Sequence, residues 1–214
     1  MNSEQLRQQY LVAGISESDF DANPINQFGK WFDEATASCE HEWMEANAMT
    51  LATSDLTGSM SVRTVLLKGY GPDGFTFFTN YASQKGRELA VNPRAALLFY
   101  WAHLSRQVRI EGAVAKVSRE SSLEYFHSRH RGSQLSAAIS AQSQTIGSRE
   151  ELERKVAALE KSLNGRAVPL PDNWGGYLLS PKQFEFWQGR HNRLHDRLIY
   201  VPDDGHWRIE RLQP

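Results

Sequence analysis

The residues best suited to chemistry in this sequence are cations set beside hydroxyls and amides. Arg63 and Lys68 bracket the run Arg63-Thr64-Val65-Leu66-Leu67-Lys68, a β-type segment in which positions five apart face opposite sides. Such a strand offers Arg63 to one ligand region and Lys68 to another. Ser83-Gln84-Lys85 opens a short helix just after a strand ending at Phe78-Thr79. A helix start presents free N–H groups and the positive end of the dipole, and Lys85 adds a full charge, so the segment suits a phosphate. Tyr125, Arg129 and Ser133 recur at every fourth position and drift only about 40° per step on a continuous helix. A phenol, a guanidinium and a hydroxyl along one stripe form a second candidate anion site, with Ser133 capping a new helix if Gly132 breaks the first. Gln107 sits in a strand and Gln142-Ser143 in a polar loop. The densest patch is Glu185–Arg197, where Arg193, His195 and Arg197 alternate along one side of an extended segment. Each group also fits a plainer role: solvated strand charges, a serine N-cap without a ligand, a polar helix face or a charged edge strand.

Two other motifs fail on context. Gly69-Tyr70-Gly71-Pro72-Asp73-Gly74 matches the dinucleotide fingerprint by letter, yet the next residues, Phe75–Thr79, read as a strand rather than the helix the fingerprint needs. His127 and His130 stand three apart, but no cysteine or paired carboxylate completes a ligand set, so no metal site is expected.

The elements that must position these residues are mostly short strands. Apolar spacing at Ile25, Phe28, Trp31, Phe32 and Ala35 predicts an amphipathic helix running toward Ala46. Strands are expected at 48–53, 61–68, 75–79, 95–101, 107–117, 176–179, 183–187, 197–201 and 207–212, divided by turn signals such as Gly71-Pro72-Asp73-Gly74 and Asp203-Asp204-Gly205. Helices are expected at 84–91, 118–128, 133–140 and 148–163, the last opened by the capping box Ser148-Arg149-Glu150-Glu151. A short helix is also expected near Glu4–Tyr10. Closely spaced strands point to an α+β, mainly antiparallel barrel or sandwich rather than a βαβ array. Residues 1–24 read as an N-terminal arm and 25–214 as one domain.

Composition narrows the function classes. Twenty-four Lys and Arg balance 25 Asp and Glu for a net charge of −1, which argues against nucleic-acid or polybasic membrane partners. The single cysteine, Cys39, excludes an internal disulfide and fits a reducing compartment. No apolar run approaches the length of a membrane helix, and the polar start lacks the features of a signal peptide, so a cytoplasmic protein is expected.

Taken in order, the motifs resemble those of the pyridoxine/pyridoxamine 5′-phosphate oxidase family. The resemblance spans nearly the whole chain: Arg63–Lys68, Phe78-Thr79-Asn80, Ser105–Val108, Tyr125–Arg129, Val168–Pro171, Trp174-Gly175-Gly176, Phe186–Gly189 and Arg193–Arg197. It implies a split β-barrel and a homodimer with FMN at the subunit interface, with segment 170–214 serving dimerisation and substrate. The implied reaction oxidises pyridoxamine or pyridoxine 5′-phosphate to pyridoxal 5′-phosphate and reduces O₂ to H₂O₂. By residue, the resemblance assigns FMN to Arg63, Thr64, Val65, Leu66, Leu67, Lys68, Phe78, Thr79, Gln84, Lys85, Gln107, Gln142, Ser143, Trp187 and Arg197. It assigns substrate to Lys68, Tyr125, Arg129, Ser133, Arg193 and His195, the last two being the catalytic pair that sets the pyridine ring against the flavin. Arg7 and Tyr10 belong to an arm that covers the site. The two separate groups of cations and hydroxyls match the two phosphates this chemistry must hold. Gln84 departs from the family's usual Arg, which implies a weaker grip on the FMN phosphate. A related flavin oxidase of phenazine pathways and a non-catalytic FMN or pyridoxal-phosphate carrier are the alternatives.

Overall fold

Alternation of buried and more exposed residues along segments 48–54, 94–101 and 106–116 gives the inner strands of one curled antiparallel sheet. The computed structural model describes residues 13–41 and 43–214. The strands are β1 (Ala48–Ser54), β2 (Met60–Leu66), β3 (Gly69–Gly71), β4 (Gly74–Asn80), β5 (Arg94–Trp101), β6 (Arg106–Lys116), β7 (Trp174–Gln188), β8 (Asp196–Asp203) and β9 (His206–Leu212). Their order is β2-β1-β5-β6-β7-β4-β3, with β8 on β7 and β9 on β8.

Strand β7 divides the sheet. One edge pairs with β6 from Tyr177 to Gln188; the other pairs first with β4, from Trp174 to Leu179, then with β8, from Phe184 to Gln188. Two strands were expected here, at 176–179 and 183–187, because Pro181 interrupts the run. Pro181 lies in the gap between β4 and β8, opposite a register shift at Glu111/Gly112, so its missing N–H costs no ladder bond. A side chain at Gly112 would meet the Ser180 carbonyl oxygen at 2.1 Å, which explains glycine at that bulge. The decoy Gly69–Gly74 forms the β3–β4 hairpin. Gly74 has φ +134° and leaves no room for a Cβ against the Leu179 carbonyl.

Helix α1 (Pro24–Ala37) begins with proline in the first turn behind Asn23, whose side chain accepts the Ile25 N–H at 2.8 Å. It plugs the curl with Phe28, which is fully buried and meets Phe75 and Phe99 edge-on at 4.9 Å. The helix stops well short of Ala46. The hydroxyls of Thr36 and Ser38 turn back onto the carbonyls of Phe32 and Glu34 and close its last turn. Before it, Phe20 packs edge-on against Trp31 and Phe186, and the Tyr200 hydroxyl donates to the Asp21 carbonyl at 2.6 Å. Residues 20 and 21 are thereby fixed to the body. The helix expected near Glu4–Tyr10 lies outside the described residues.

The remaining helices are α2 (Gln84–Val91), α3 (Arg119–Ser128), α4 (Arg131–Ile139) and α5 (Arg149–Leu163). Ser83, Ser118 and Ser148 cap α2, α3 and α5, accepting the N–H groups of Gly86, Ser121 and Glu151. The break between α3 and α4 falls at Arg129-His130, where Arg129 is extended, rather than at Gly132; His130, not Ser133, is the N-cap of α4. These helices carry a second small core of Phe126, Leu135, Leu163, Val168 and Trp174. Among the described residues no helix is long and apolar enough to cross a membrane.

Candidate active site

Half of the residues singled out from the sequence meet at one cavity of about 700 Å³ between the β2 and β4 strand ends and α2, α3 and α4. Thr64, Val65, Leu66 and Lys68 enter from β2 and the residues just after it, and Phe78 and Thr79 from β4. Lys68 reaches the cavity because the chain leaves β1 after Leu66 and joins β4, where the Lys68 N–H donates to the Thr76 carbonyl. Leu67 instead is buried in the main core.

At the α2 end, Lys85 is buried with its ammonium against neutral oxygens: Gln142 Oε1 at 3.0 Å, Thr79 Oγ1 at 3.2 Å and Ser83 Oγ at 3.5 Å. Burial, reinforced by the Arg63 charge and opposed by Glu88, pushes the Lys85 pKa down to about 8. No carboxylate among the described residues pairs with Lys85 at ion-pair distance. A buried cation held only by neutral acceptors at a helix start is a place for an anion.

Arg63 lies beside this end without lining the cavity. Its guanidinium donates to the Leu51 carbonyl at 3.1 Å, to Thr53 Oγ1 at 2.6 Å and to Ser61 Oγ, and pairs with Glu88 at 3.4 Å. Glu88 also accepts from Ser61, Thr53 and the Gln84 amide, which together hold its carboxyl below the ordinary range against the opposing effect of burial. Gln84 therefore turns its side chain onto Glu88, while its backbone N–H donates to Ser143 Oγ at 3.2 Å.

The other end of the cavity gathers Tyr125, Arg129 and Ser133. They do so across a chain break instead of along one continuous helix. Arg129 projects from the extended link, and Ser133 sits in the first turn of α4. Arg129 Nη1 is the single buried side-chain nitrogen or oxygen among the described residues that lacks a partner. Burial pushes the Arg129 pKa down. An unsatisfied guanidinium nitrogen beside a phenol, a hydroxyl and a helix start has the donor chemistry of a phosphate site. The cavity thus has two cationic ends with aromatic walls between them, Phe78 stacking on Tyr125 at 3.9 Å.

A second cluster forms elsewhere. Gln107 faces Trp187 across β6 and β7, and Trp187 faces Arg197 across β7 and β8. Arg197 Nε donates to Glu185 Oε1 at 2.7 Å; buried Glu185 also takes Arg109 at 2.7 Å. The Trp187 and His195 rings lie 4.7 Å apart. Arg193 and His195 are not on an extended strand as expected. Residues His191–Arg193 form a tight turn in which Asn192 and Arg193 both have positive φ, 54° and 61°. The Arg190 N–H donates to His195 Nδ1 at 3.0 Å, which leaves the proton of the neutral ring on Nε2. Burial and the Arg193 charge lower the His195 pKa and favour that neutral form.

The two clusters sit toward opposite ends of β7. Trp174 lines the cavity and Trp187 anchors the second cluster, thirteen residues apart on one strand, or roughly 40 Å of chain. Arg7 and Tyr10 lie outside the described residues. Reading the sequence gave no role to Trp174, Glu88 or Glu185. Glu88, one turn after Gln84 on α2, and Glu185, on the Trp187 face of β7, were both signalled by spacing.

Comparison with known proteins gives this arrangement its relatives. Residues 35–162 match the family model "Pyridoxamine 5′-phosphate oxidase", and residues 174–214 match "Pyridoxine 5′-phosphate oxidase C-terminal dimerisation region". The chain belongs to the pyridoxine/pyridoxamine 5′-phosphate oxidase family. It is therefore an enzyme of an oxidase family. A pyridoxine/pyridoxamine 5′-phosphate oxidase of Rubrobacter xylanophilus is 54% identical over 98% of this chain and 95% of its own length. One from Bordetella petrii is 51% identical over the full length of both chains. Among solved structures, PhzG of Burkholderia lata, crystallised with tetrahydrophenazine-1-carboxylic acid, superposes with a TM-score of 0.87 at 29% identity, over 97% of this chain and all of its own. A Nostoc punctiforme FMN-binding protein related to pyridoxamine 5′-phosphate oxidases shares the fold, with a TM-score of 0.69 at 17% identity, over 90% of this chain and 98% of its own. The expected split barrel is the observed architecture, and the family carries a flavin. The buried, carboxylate-free Lys85 and the unpartnered Arg129 Nη1 fit a bound mononucleotide phosphate and a second anion.

Proposed function

We propose that this chain is an FMN-dependent oxidase of pyridoxamine or pyridoxine 5′-phosphate that works as a homodimer. The observation that carries this reading is the pair of cations at the two ends of one cavity that have no carboxylate partner among the described residues, Lys85 held by neutral oxygens and Arg129 with an unbonded Nη1. A flavin mononucleotide and a phosphorylated pyridine each bring one phosphate. Lys85, Thr79, Gln142, Ser143 and the α2 N-terminus would hold the cofactor's phosphate, with Arg63 adding charge from behind. Lys68, Tyr125, Arg129 and Ser133 would take the substrate's.

A bound FMN would supply the redox chemistry, that of a hydride acceptor toward substrate C4′ with O₂ as the final oxidant and H₂O₂ as its product. The protein's own part is binding, orientation and charge. Arg193 and His195 offer a fixed cation and a neutral ring with its proton on Nε2, suited to hydrogen-bonding a pyridine ring and its substituents. They stand at the far end of β7 from the cavity, so a ligand there meets them only on a second copy of the chain. The match of residues 174–214 to a dimerisation region supports this, as do Met60 and Val62, exposed on the sheet-edge strand β2.

The likeness to PhzG raises tetrahydrophenazine carboxylates as a second substrate class. The phosphate-type donors around Arg129 favour the phosphate ester. The deciding experiment gives the purified yellow protein pyridoxamine 5′-phosphate and follows pyridoxal 5′-phosphate and peroxide together. Equal amounts of both are expected. Turnover of a tetrahydrophenazine carboxylate but not of the phosphate ester would overturn the assignment.

A further inference from the structure

The Trp174-Gly175-Gly176 motif marks the start of β7, yet the functional reading leaves it without a task. Trp174 is buried, and its ring is the hub of the cavity's aromatic wall. It stacks on Phe78 at 5.6 Å and 17°, lies nearly parallel to Tyr125 at 6.2 Å and 7°, and is met edge-on by Phe126 at 5.2 Å. On it rests the Arg129 guanidinium, whose central carbon is 5.0 Å from the ring centroid. The two glycines make room for this packing. A Cβ on Gly176 would come within 2.7 Å of the Phe78 ring, and one on Gly175 within 2.2 Å of the Tyr81 hydroxyl.

An arginine that must seize a phosphate faces a conflict. A carboxylate partner would fix its rotamer but would occupy its N–H donors and cancel its charge. Among the described residues Arg129 has no acidic partner, and its Nη1 is left unbonded. An aromatic face resolves the conflict, because it attracts the cation through the ring quadrupole and leaves the N–H donors of the guanidinium plane for an incoming oxyanion. We infer that Trp174 is the positioning residue of the substrate-phosphate site, holding Arg129 in place by its ring face while keeping that arginine's donors available. This rests on the reading of Arg129 as the substrate-phosphate cation.

The test uses FMN-loaded enzyme and the variants Trp174→Leu, Trp174→Phe and Arg129→Leu. Dissociation constants of pyridoxal 5′-phosphate and unphosphorylated pyridoxal are measured by equilibrium dialysis, beside KM and kcat for pyridoxamine 5′-phosphate. Trp174→Leu should weaken pyridoxal 5′-phosphate about 3- to 30-fold, raise KM with a smaller effect on kcat, and change pyridoxal binding less than about 2-fold. Trp174→Phe keeps an aromatic face and should recover most of the loss. Equal weakening of both ligands, or no weakening of the phosphate ester, would overturn the inference. Should Trp174→Leu not fold, a Phe variant that discriminates no better than Arg129→Leu would overturn it instead. If Arg129→Leu itself leaves the preference for the phosphorylated ligand intact, the phosphate assignment of Arg129 fails first. If Arg129→Leu abolishes it and Trp174→Leu leaves it unchanged, the role of Trp174 alone fails.

Discussion

Gln84 donates its side-chain amide to Glu88 Oε1 at 3.0 Å, one turn along α2, so the residue at the position where the family resemblance implies an arginine faces a carboxylate rather than the cavity. That geometry revises what an arginine would do there. It would meet the buried Glu88 carboxylate first, which Arg63 already pairs, before it could reach a phosphate. Gln84→Arg is therefore expected to change FMN affinity by less than about 3-fold. Quenching of flavin fluorescence on titrating apoprotein reads this directly, and a gain of tenfold or more would place side chain 84 on the phosphate after all.

Lys85 gives FMN binding a pH signature. With its pKa lowered to about 8, the folded apoprotein releases this proton well before the unfolded chain does, near 10.5. The cost of the buried charge is present below pH 8 and disappears as pH rises from 8 toward 10.5, so this group makes the apoprotein more stable across that window. Phosphate binding needs the ammonium, so FMN affinity should fall as pH rises through 8. Lys85→Met should bind FMN more weakly and with a flat profile over the same range. A wild-type FMN dissociation constant unchanged between pH 7 and 9.5 would exclude Lys85 from the phosphate contact.

Arg193 stands on a backbone with positive φ in the turn beyond the last residue of β7, whose first residue, Trp174, lines the cavity. Arg193→Leu should retain FMN and lower kcat/KM by about 10- to 150-fold, the loss of one charge-assisted contact of about 1.5–3 kcal/mol. Loss of flavin from this variant, with normal kcat/KM once FMN is in excess, would move Arg193 to the cofactor.

Gly176→Ala tests the packing of the aromatic wall. The new methyl would press on the Phe78 ring and on Val117 Cγ2, each 2.7 Å from the ideal Cβ position, and neither can swing clear as a long flexible chain could. A loss of about 1–3 kcal/mol is expected, seen as a lower Tm with weakened FMN binding. An unchanged Tm would show that the wall yields.

Much of this was legible in the sequence because it depends on local signals. Helix α2 runs over Gln84–Val91 as read, and α3 and α5 open on the serines chosen as caps. What escaped depended on distant partners. The unity of β7 across Pro181 follows from β4 and β8 leaving that edge unpaired, which no local window contains. Helical spacing brought Tyr125, Arg129 and Ser133 together for the wrong reason, since a break at Arg129-His130 folds them onto one cavity. The turn that lifts Arg193 out of an extended path rests on left-handed Asn192 and Arg193, a conformation that residue type alone does not signal. Arg7 and Tyr10 stand outside the described residues.

The length of β7 also has a consequence for mixed populations of this protein. Because the cavity and the Arg193–His195 pair sit toward opposite ends of one strand, the proposed site shared between two copies implies that damage to one set would leave the other usable by a neighbour. Impaired Arg129→Leu chains and impaired Arg193→Leu chains, unfolded and refolded together, would sort into pairs in which one of the two sites draws only intact halves. About half of randomly formed dimers are mixed, each with one sound site, so activity should rise to about one quarter of wild type, above either impaired parent. Within a cell carrying both alleles, neither defect would be fully recessive to the other, and a lesion's severity would depend on its companion.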